Sequence, residues 1–509
     1  MNIESPDPDL RRNGQILRML QAKSLAFVGG EGVVHAMTYL KALGFGGEIS
    51  VVNPKRPSVA DVPAVPTVAD LPFVPDAAFV AVNAKAAVAS VAELAERGAG
   101  AIVCSSSGFA ENGESGVELQ RQLVTAAGDS VLIGPNCNGF VNYLDGTAAM
   151  IGHMGVRRSE RGAALLSQGG GFLLNVALSK RFLPMSYLIG TGNSAMLGAT
   201  ECAQAILQDE RVTAIGLYLE GNLNAARLSS LAVEALARNV PVVVLKSGRS
   251  SAGARAVLSH TASIAGEDAM VEALFKRLGL IQVATMSELV ETLKIFTISG
   301  APRGRKLGII TSSGVEAALT ADVSVDVGLD VSNEFNDHTP ALRKSLPPIA
   351  NVNNPVDLTT TYWGNTEKQA ECCENFLKAL EPDFSVCVAT YPPPGTRPLH
   401  EYDSSVDGYG EALRRTGQRG AVLSLLAENV TQEVGERILA AGATPLQGIR
   451  DGMAAVAHAA NYSLERLRLE EQGLETIRVP GVAGRADGRP SLIDERTAKQ
   501  KLSEAGIPV

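Results

Sequence analysis

A chain of 509 residues is too long for one domain, and at the usual size of roughly 150 residues each about three are expected. Its net charge of −9, with no basic run or tail, argues against nucleic acid or an anionic membrane as the main partner. No apolar run reaches the roughly 18 residues of a membrane span; the start, Met1 to Asp9, is polar and acidic, unlike a secretory signal; and six scattered cysteines make neither a CxxC metal site nor a disulfide framework, so a reduced, cytoplasmic protein is expected.

Residues 1–150 are predicted to alternate strand and helix, beginning with a strand over Ser24 to Val28, a turn Gly29-Gly30-Glu31-Gly32 and a helix through Met37 to Ala42. A second strand, Glu48 to Val52, ends on Asn53-Pro54-Lys55, and further strands follow at Ala77 to Val82, Ala101 to Cys104 and Val131 to Ile133. This order predicts a parallel sheet with its ligand loops at the strand C-terminal ends.

The pattern restarts in 151–300, with a strand Ala163 to Leu166, the loop Ser167-Gln168-Gly169-Gly170-Gly171, a helix through Ser179, and strands near Tyr187, over Ala214 to Leu219 and over Val240 to Leu245. It restarts again in 301–462, at Leu307 to Thr311 followed by Ser312-Ser313-Gly314 and a helix to Gly328, with strands near Ser385 to Ala389 and Ala421 to Leu425. Each unit therefore reads as an open, doubly wound α/β sheet. Residues 463–490, charged and then rich in Gly and Pro, read as a linker. Residues 491–509 carry Ser491 as an N-cap, an amphipathic helix and Gly506 as a C-cap, the pattern with which a further domain opens.

Ser259-His260-Thr261-Ala262 sets one histidine among small residues, after the flexible and basic run Lys246-Ser247-Gly248-Arg249. Imidazole is a good nucleophile near neutral pH and can accept a phosphoryl group on nitrogen, and small neighbours let it approach phosphates; by itself the segment equally suits a plain surface loop. Gly29-Gly30-Glu31-Gly32 and Ser167 to Gly171 each place backbone N–H groups and a helix N-terminus before an anion, although glycines also serve simple tight turns. The first departs from GxGxxG, and Lys55 stands near the end of the second strand, where a dinucleotide site has an acid for the ribose; this disfavours NAD chemistry and suits additional phosphates. Glu220, ending the strand over Ile215 to Leu219, can accept Nδ1–H of His260 and leave Nε2 as the nucleophile.

In this order the blocks Val52-Asn53-Pro54-Lys55, Ser106-Ser107-Gly108-Phe109, Gly134-Pro135-Asn136-Cys137, Ser167-Gln168-Gly169-Gly170, Gly192-Asn193, Tyr218-Leu219-Glu220-Gly221, Lys246-Ser247-Gly248-Arg249 with Ser259-His260-Thr261, and Asn354-Pro355-Val356-Asp357 resemble the NDP-forming (ADP-forming) acyl-CoA synthetases, which include succinyl-CoA synthetase α subunits and ADP-forming acetate-CoA ligases. The resemblance covers essentially the whole chain. It implies a Rossmann-like CoA-binding domain followed by two flavodoxin-like domains and, at 491–509, the beginning of an ATP-grasp domain. It implies an acid-thiol ligase in which His260 becomes the phosphohistidine, Glu220 orients it, and Ser167, Gly169, Gly170, Gly171 and Lys246 hold its phosphoryl group. The CoA phosphates would lie on Gly29, Gly30, Gly32 and Lys55, with Asn83 near the nucleotide, Asn136 and Cys137 near the pantetheine end, and Ser107 also among the CoA-binding residues. ATP and Mg2+ would be held mainly by an ATP-grasp domain, in cis or on a partner subunit, and a homo-oligomer is expected.

Four positions depart from the family pattern: Glu31 stands where a small residue is usual, Met196 and Leu197 where acids are, and Ala262 where a glycine is. A non-catalytic CoA-binding regulatory module of the same fold is the alternative, and retention of both His260 and Glu220 speaks against it.

Overall fold

In the computed structural model, which describes residues 8–152, 155, 157–221, 223–255, 268–393, 395–396, 399–479 and 494–504, the chain is built on three sheets. The first contains β1 (Ser24–Gly29), β2 (Glu48–Val52), β3 (Ser58–Val59), β4 (Val62–Val65), β5 (Ala77–Ala81), β6 (Ala101–Cys104) and β7 (Val131–Ile133), in the order β3-β4-β2-β1-β5-β6-β7. Only β3 and β4 are antiparallel. Every residue of β1 is buried, as expected of a central parallel strand covered on both faces. The chain steps from β1 to β2 on one side and later crosses to β5 on the other, so the sheet's switch point lies between β1 and β5. A helix that the pattern of apolar residues did not predict, Pro8–Leu20, is tied to this sheet through Asp76, whose carboxylate accepts from Arg18 Nε at 2.7 Å and from the N–H groups of Lys23 and Ser24.

The second sheet adds an antiparallel edge to the expected doubly wound form. It contains β8 (Gly139–Asn142), β9 (Thr147–Met150), β10 (Gly162–Ser167), β11 (Met185–Gly190), β12 (Val212–Leu219), β13 (Val242–Lys246) and β14 (Ile281–Val283), in the order β14-β13-β12-β10-β11-β8-β9. β8 pairs antiparallel with both β11 and β9, and this hairpin closes one edge, so the chain enters this sheet at Gly139, ahead of the expected division at residue 150. Asn142 makes the hairpin local: its Oδ1 accepts the N–H groups of Leu144 and Asp145, an Asx-type turn, while its Nδ2 reaches back to the Leu20 carbonyl. Here the switch point lies between β10 and β12.

The third sheet has the expected parallel, doubly wound form, with β15 (Leu307–Thr311), β16 (Val356–Asp357), β17 (Phe384–Val388), β18 (Gly420–Ser424) and β19 (Thr444–Gln447) in the order β16-β15-β17-β18-β19. It meets the second sheet's helices through a buried charge cluster. The fully buried carboxylate of Glu291 accepts from Arg181 at 2.9 Å, from the fully buried Lys294 at 2.7 Å and from the N–H of Gln447 at 3.0 Å.

The expected linker begins differently. Residues 463–472 are the last turns of a 24-residue helix, Ile449–Gln472, followed by a short 3-10 turn at Leu474–Ile477. The charges that suggested a linker are its solvated face, paired along the helix as Arg466 with Glu470 and Arg468 with Glu465, while Leu469 is buried. Residues 480–493, including Ser491, lie outside the described residues; the helix after them is Glu495–Glu504, and Asp494 accepts the N–H of Thr497 at its start. Among the described residues no helix is long and apolar enough to cross a membrane.

Candidate functional site

The first group of expected residues lies along one edge of the first sheet, in the loops that follow β2, β1, β5, β6 and β7. The turn after β1 passes directly into the helix Glu31–Ala42, whose N-cap is Gly30. Gly29 adopts φ +155°, and a Cβ there would stand 2.8 Å from the Ala81 carbonyl oxygen at the end of β5; at Gly32 it would stand 3.2 Å from the Ala81 side chain. Glycine is therefore required for the backbone to pass this close to β5 at the switch point, and the first N–H groups of the helix are left for an anion. Asn53 couples this turn to the next loop. Its Nδ2 donates to the Gly29 carbonyl at 2.8 Å, and its Oδ1 accepts the N–H groups of Lys55 and Arg56.

Lys55 is exposed beside the turn. Glu31, which taken alone would repel a diphosphate, is bound by Arg56 at 2.7 Å. Asn83 caps the helix Ala84–Glu96 by accepting the N–H of Ala86, and Ser107 is exposed in the loop after β6. Asn136, exposed in the left-handed conformation with φ +55°, lies in the loop after β7. Cys137 is different: its side chain is buried, its Sγ points to the Cys104 carbonyl at 3.3 Å, and burial pushes its thiol up. Only its backbone faces the loop, so any contact with a ligand there would come from the main chain.

The second group lies at the corresponding edge of the second sheet. The Ser167 hydroxyl is turned inward and donates to the Gly169 carbonyl at 2.7 Å, shaping the loop that opens the helix Gly170–Ala177. Glu220, 6% exposed, stands across the switch point from this loop, and its N–H donates to Gln168 Oε1 at 2.8 Å. A Cβ on Gly169 would stand 3.0 Å from Glu220 Oε1, and one on Gly170 would overlap the Asn138 side chain. These glycines are what allow the carboxylate and Asn138 to close on the helix start.

Lys246 ends β13 with its ammonium nearly buried, donating to the Ser247 carbonyl at 3.1 Å. Burial lowers its pKa, against the pull of Asp268, while Arg249 adds to the lowering. Among the described residues an open cleft of about 460 Å3 is lined by Lys246, Gly248, Arg249, Ser250, Gly253 and Asp268. His260 and its neighbours, residues 256–267, lie outside the described residues. No group of three or more His, Cys, Asp or Glu able to hold a metal occurs among the described residues.

The two edges are continuous through residues 134–138. The loop after β11 docks on that segment: Asn193 N–H donates to the Pro135 carbonyl at 2.9 Å and Ala195 N–H to the Gly134 carbonyl at 3.0 Å, and Leu197 bridges Ile133. Leu197 is buried, so the apolar departure at this position packs the junction. Glu111 completes it, accepting the N–H groups of Gly108 and Phe109 on one oxygen and Asn193 Nδ2 on the other. Burial pushes the Glu111 carboxyl up, and these donors more than reverse that, holding it below its ordinary range. Asn138, Asn193 and Glu111 lie within or beside the sequence blocks that carry the family resemblance, yet their contacts across two sheets carry no signal in one sequence.

The pattern of the CoA binding domain family matches residues 32–143, and that of the Succinyl-CoA ligase like flavodoxin domain family matches residues 160–296. Among curated relatives, the α subunit of acetate-CoA ligase (ADP-forming) II from Pyrococcus furiosus is 28% identical over 81% of this chain and 89% of its own length. The chain belongs to the ADP-forming acyl-CoA synthetase family. Another member of similar sequence, trans-feruloyl-CoA synthase from an unidentified prokaryote, is 32% identical over 68% of this chain, which spans about half (51%) of that longer protein. The fold is that of the dinucleotide-forming acetyl-coenzyme A synthetase 1 of Ca. Korarchaeum cryptofilum in its apo form, with a TM-score of 0.78, 22% identity, and coverage of 90% of this chain and 99% of that one.

Proposed function

We propose that this chain is the CoA-binding and phosphoryl-accepting part of an ADP-forming acid-CoA ligase, which makes an acyl-CoA thioester from a carboxylic acid, CoA and ATP. The observation that carries the reading is the continuous edge formed by two anion-suited strand ends, the Gly29–Gly32 turn and the Gly169–Gly171 helix start, joined through residues 134–138. The domain division follows the same reading: CoA in 1–150, phosphoryl transfer in 151–300, and a supporting doubly wound unit in 301–462.

Gly29, Gly30, Gly32 and Lys55 suit the CoA phosphates: the glycines leave room for a close approach, the helix N-terminus is positive, and Lys55 adds charge. Asn83 and Ser107 flank the course toward Asn136 and the Cys137 backbone. In the relay, His260 Nε2 attacks the terminal phosphorus of ATP and ADP leaves; a carboxylate oxygen of the acid then takes the phosphoryl group, freeing the imidazole; the CoA thiolate attacks the acyl carbon and phosphate leaves. Splitting one difficult displacement into three easier ones is the gain of covalent catalysis. Glu220 accepts Nδ1–H of the imidazole and fixes its tautomer. The Gly169–Gly171 helix start and Lys246 offset charge on the transferring phosphoryl group, the term that dominates such reactions. Mg2+, bound with the nucleotide on an ATP-grasp domain in cis or on a partner subunit, supplies further charge neutralisation.

The test is an ADP-release screen over a panel of carboxylic acids with the ATP-grasp region present. His260→Ala is expected to abolish thioester formation while CoA binding by calorimetry stays at the wild-type value. Undiminished turnover in that variant would remove the relay.

A further inference from the structure

At the N-terminal ends of β10 and β11, opposite the phosphoryl-facing edge, a cavity of about 470 Å3 lies between the second and third units. Gly162 and Ser167 bound β10, so at the usual rise of about 3.3 Å per residue the two ends of that strand stand about 16 Å apart. The apolar walls come from both units: Val176, Phe182 and Met185 from the second, and Leu439 from the helix Gln432–Ala440 of the third. Phe182 holds φ +60°, a conformation that a bulky residue rarely adopts, and a Cβ on Gly435 would overlap its ring. The ring therefore lies directly on the helix backbone, and the wall between the units depends on that contact. The rim is charged: Arg157, Arg158, Arg161 and Lys180 line it against one carboxylate, Glu160. Arg158 donates from Nη2 to the Leu144 carbonyl at 2.7 Å, and none of the four cations is ion-paired among the described residues. Other arginines of this region do have acidic partners, Arg211 in Asp145 and Asp209, and Arg437, on the cavity helix, in Asp403 and Asp407. The helix Gly170–Ala177 ends at the cavity, but its last turn is capped by its own chain, with Ser179 Oγ donating to the Val176 carbonyl at 2.7 Å. The cations are not needed to cap it. In a chain of net charge −9, four mutually repelling cations around one cavity make a local field of opposite sign, which concentrates anions.

We propose that this cavity is a second anion site, separate from the relay edge, for an organic phosphate with an apolar body. Guanidinium groups present paired N–H donors that match phosphate oxygens, and three of them with Lys180 suit a dianionic head. The apolar walls suit a ring or a short chain, and the volume falls within the range of small-molecule sites. A bare inorganic ion leaves those walls unused, and a neutral molecule leaves the rim unbalanced. Because Phe182 and Leu439 belong to different units, the bound molecule touches both and stabilises the folded, docked arrangement. The inference does not depend on the relay through His260.

The test is calorimetric titration of the full chain with phenyl phosphate, in saturating CoA so that the first sheet's edge is occupied. Saturable binding is expected, with inorganic phosphate, benzoate and benzyl alcohol each at least roughly tenfold weaker. Arg161 and Lys180 are exposed and carry no ion pair among the described residues. Arg161→Glu and Lys180→Glu should therefore each weaken phenyl phosphate binding at least roughly tenfold, while CoA affinity and the ligand-free unfolding midpoint stay at wild type. Leu439→Asp should weaken binding from the third unit's side, and Lys246→Ala, at the phosphoryl-facing edge, should leave it unchanged. Phenyl phosphate should raise the unfolding midpoint of the wild type and not that of Arg161→Glu. No saturable binding, binding that survives both charge reversals, or binding lost in Lys246→Ala overturns the site. Inorganic phosphate, benzoate or benzyl alcohol binding as tightly as phenyl phosphate overturns the class of ligand assigned to it.

Discussion

An acidic side chain at the mouth of a diphosphate site weakens binding unless its charge is met, and Arg56 meets that of Glu31 at 2.7 Å. Both side chains are substantially exposed, so the pair adds little to stability; its consequence is for the field at the turn. Arg56→Ala is expected to weaken CoA binding by more than Glu31→Ala changes it, and the double variant to recover most of the loss. A calorimetric double-mutant cycle checks this, and strictly additive effects would show that the pair does not act on the ligand. At this scale the strand-end position of the glycines, Asn83, Lys55 and Glu220 was legible, because strand-end loops have a recognisable composition; their roles remain those of the proposed relay. The inward turn of Cys137 was not: its partner Cys104 is 33 positions away in sequence, and only the folded sheet shows that the side chain belongs to the core.

Among the elements, those with strong local patterns were found and those defined by partners were missed. The central strands β1, β10 and β15 stand where their apolar runs end in glycine loops, whereas the β8–β9 hairpin gains its place from pairing with β11. The end of the helix Ile449–Gln472 was mistaken for linker because its charges outnumber its apolar residues, although i,i+3 and i,i+4 pairing of those charges is a helical signal. The helix Met286–Lys294 supplies a sharper test of how elements are held. Its Glu291 is fully buried between Arg181, Lys294 and the start of the last residue of β19, Gln447. Glu291→Gln leaves the Lys294 ammonium buried without its counter-charge, and removing one partner of such a pair costs about 3–5 kcal/mol. Urea unfolding should show a loss of that size; a change under about 1 kcal/mol would mean that the cluster is screened by water.

For the whole molecule, the junction between the first and second sheets matters more than either sheet alone. Loops from both meet over residues 134–138, and Glu111, Asn193 and Gln120 bind them together. This brings the turn at Gly29 and the helix start at Gly170 onto one surface, the arrangement a long thiol carrier requires if its phosphates and its sulfur are to be served by different units. The order of motifs was readable from the sequence, and the continuity of that surface was not, because it depends on contacts between residues up to 82 positions apart. A division of labour follows. In the proposed relay the two site clusters take CoA and the phosphoryl group, and the nucleotide belongs to an ATP-grasp region. The 509-residue chain alone is therefore expected to bind CoA, yet to release no ADP from ATP and an acid until an ATP-grasp region is supplied on the same polypeptide or as a second subunit. Calorimetry with CoA and a coupled ADP assay, each run with and without that region, separate the two halves of the reaction. ATP-dependent turnover by the chain alone would place the nucleotide site within these three sheets and end the division.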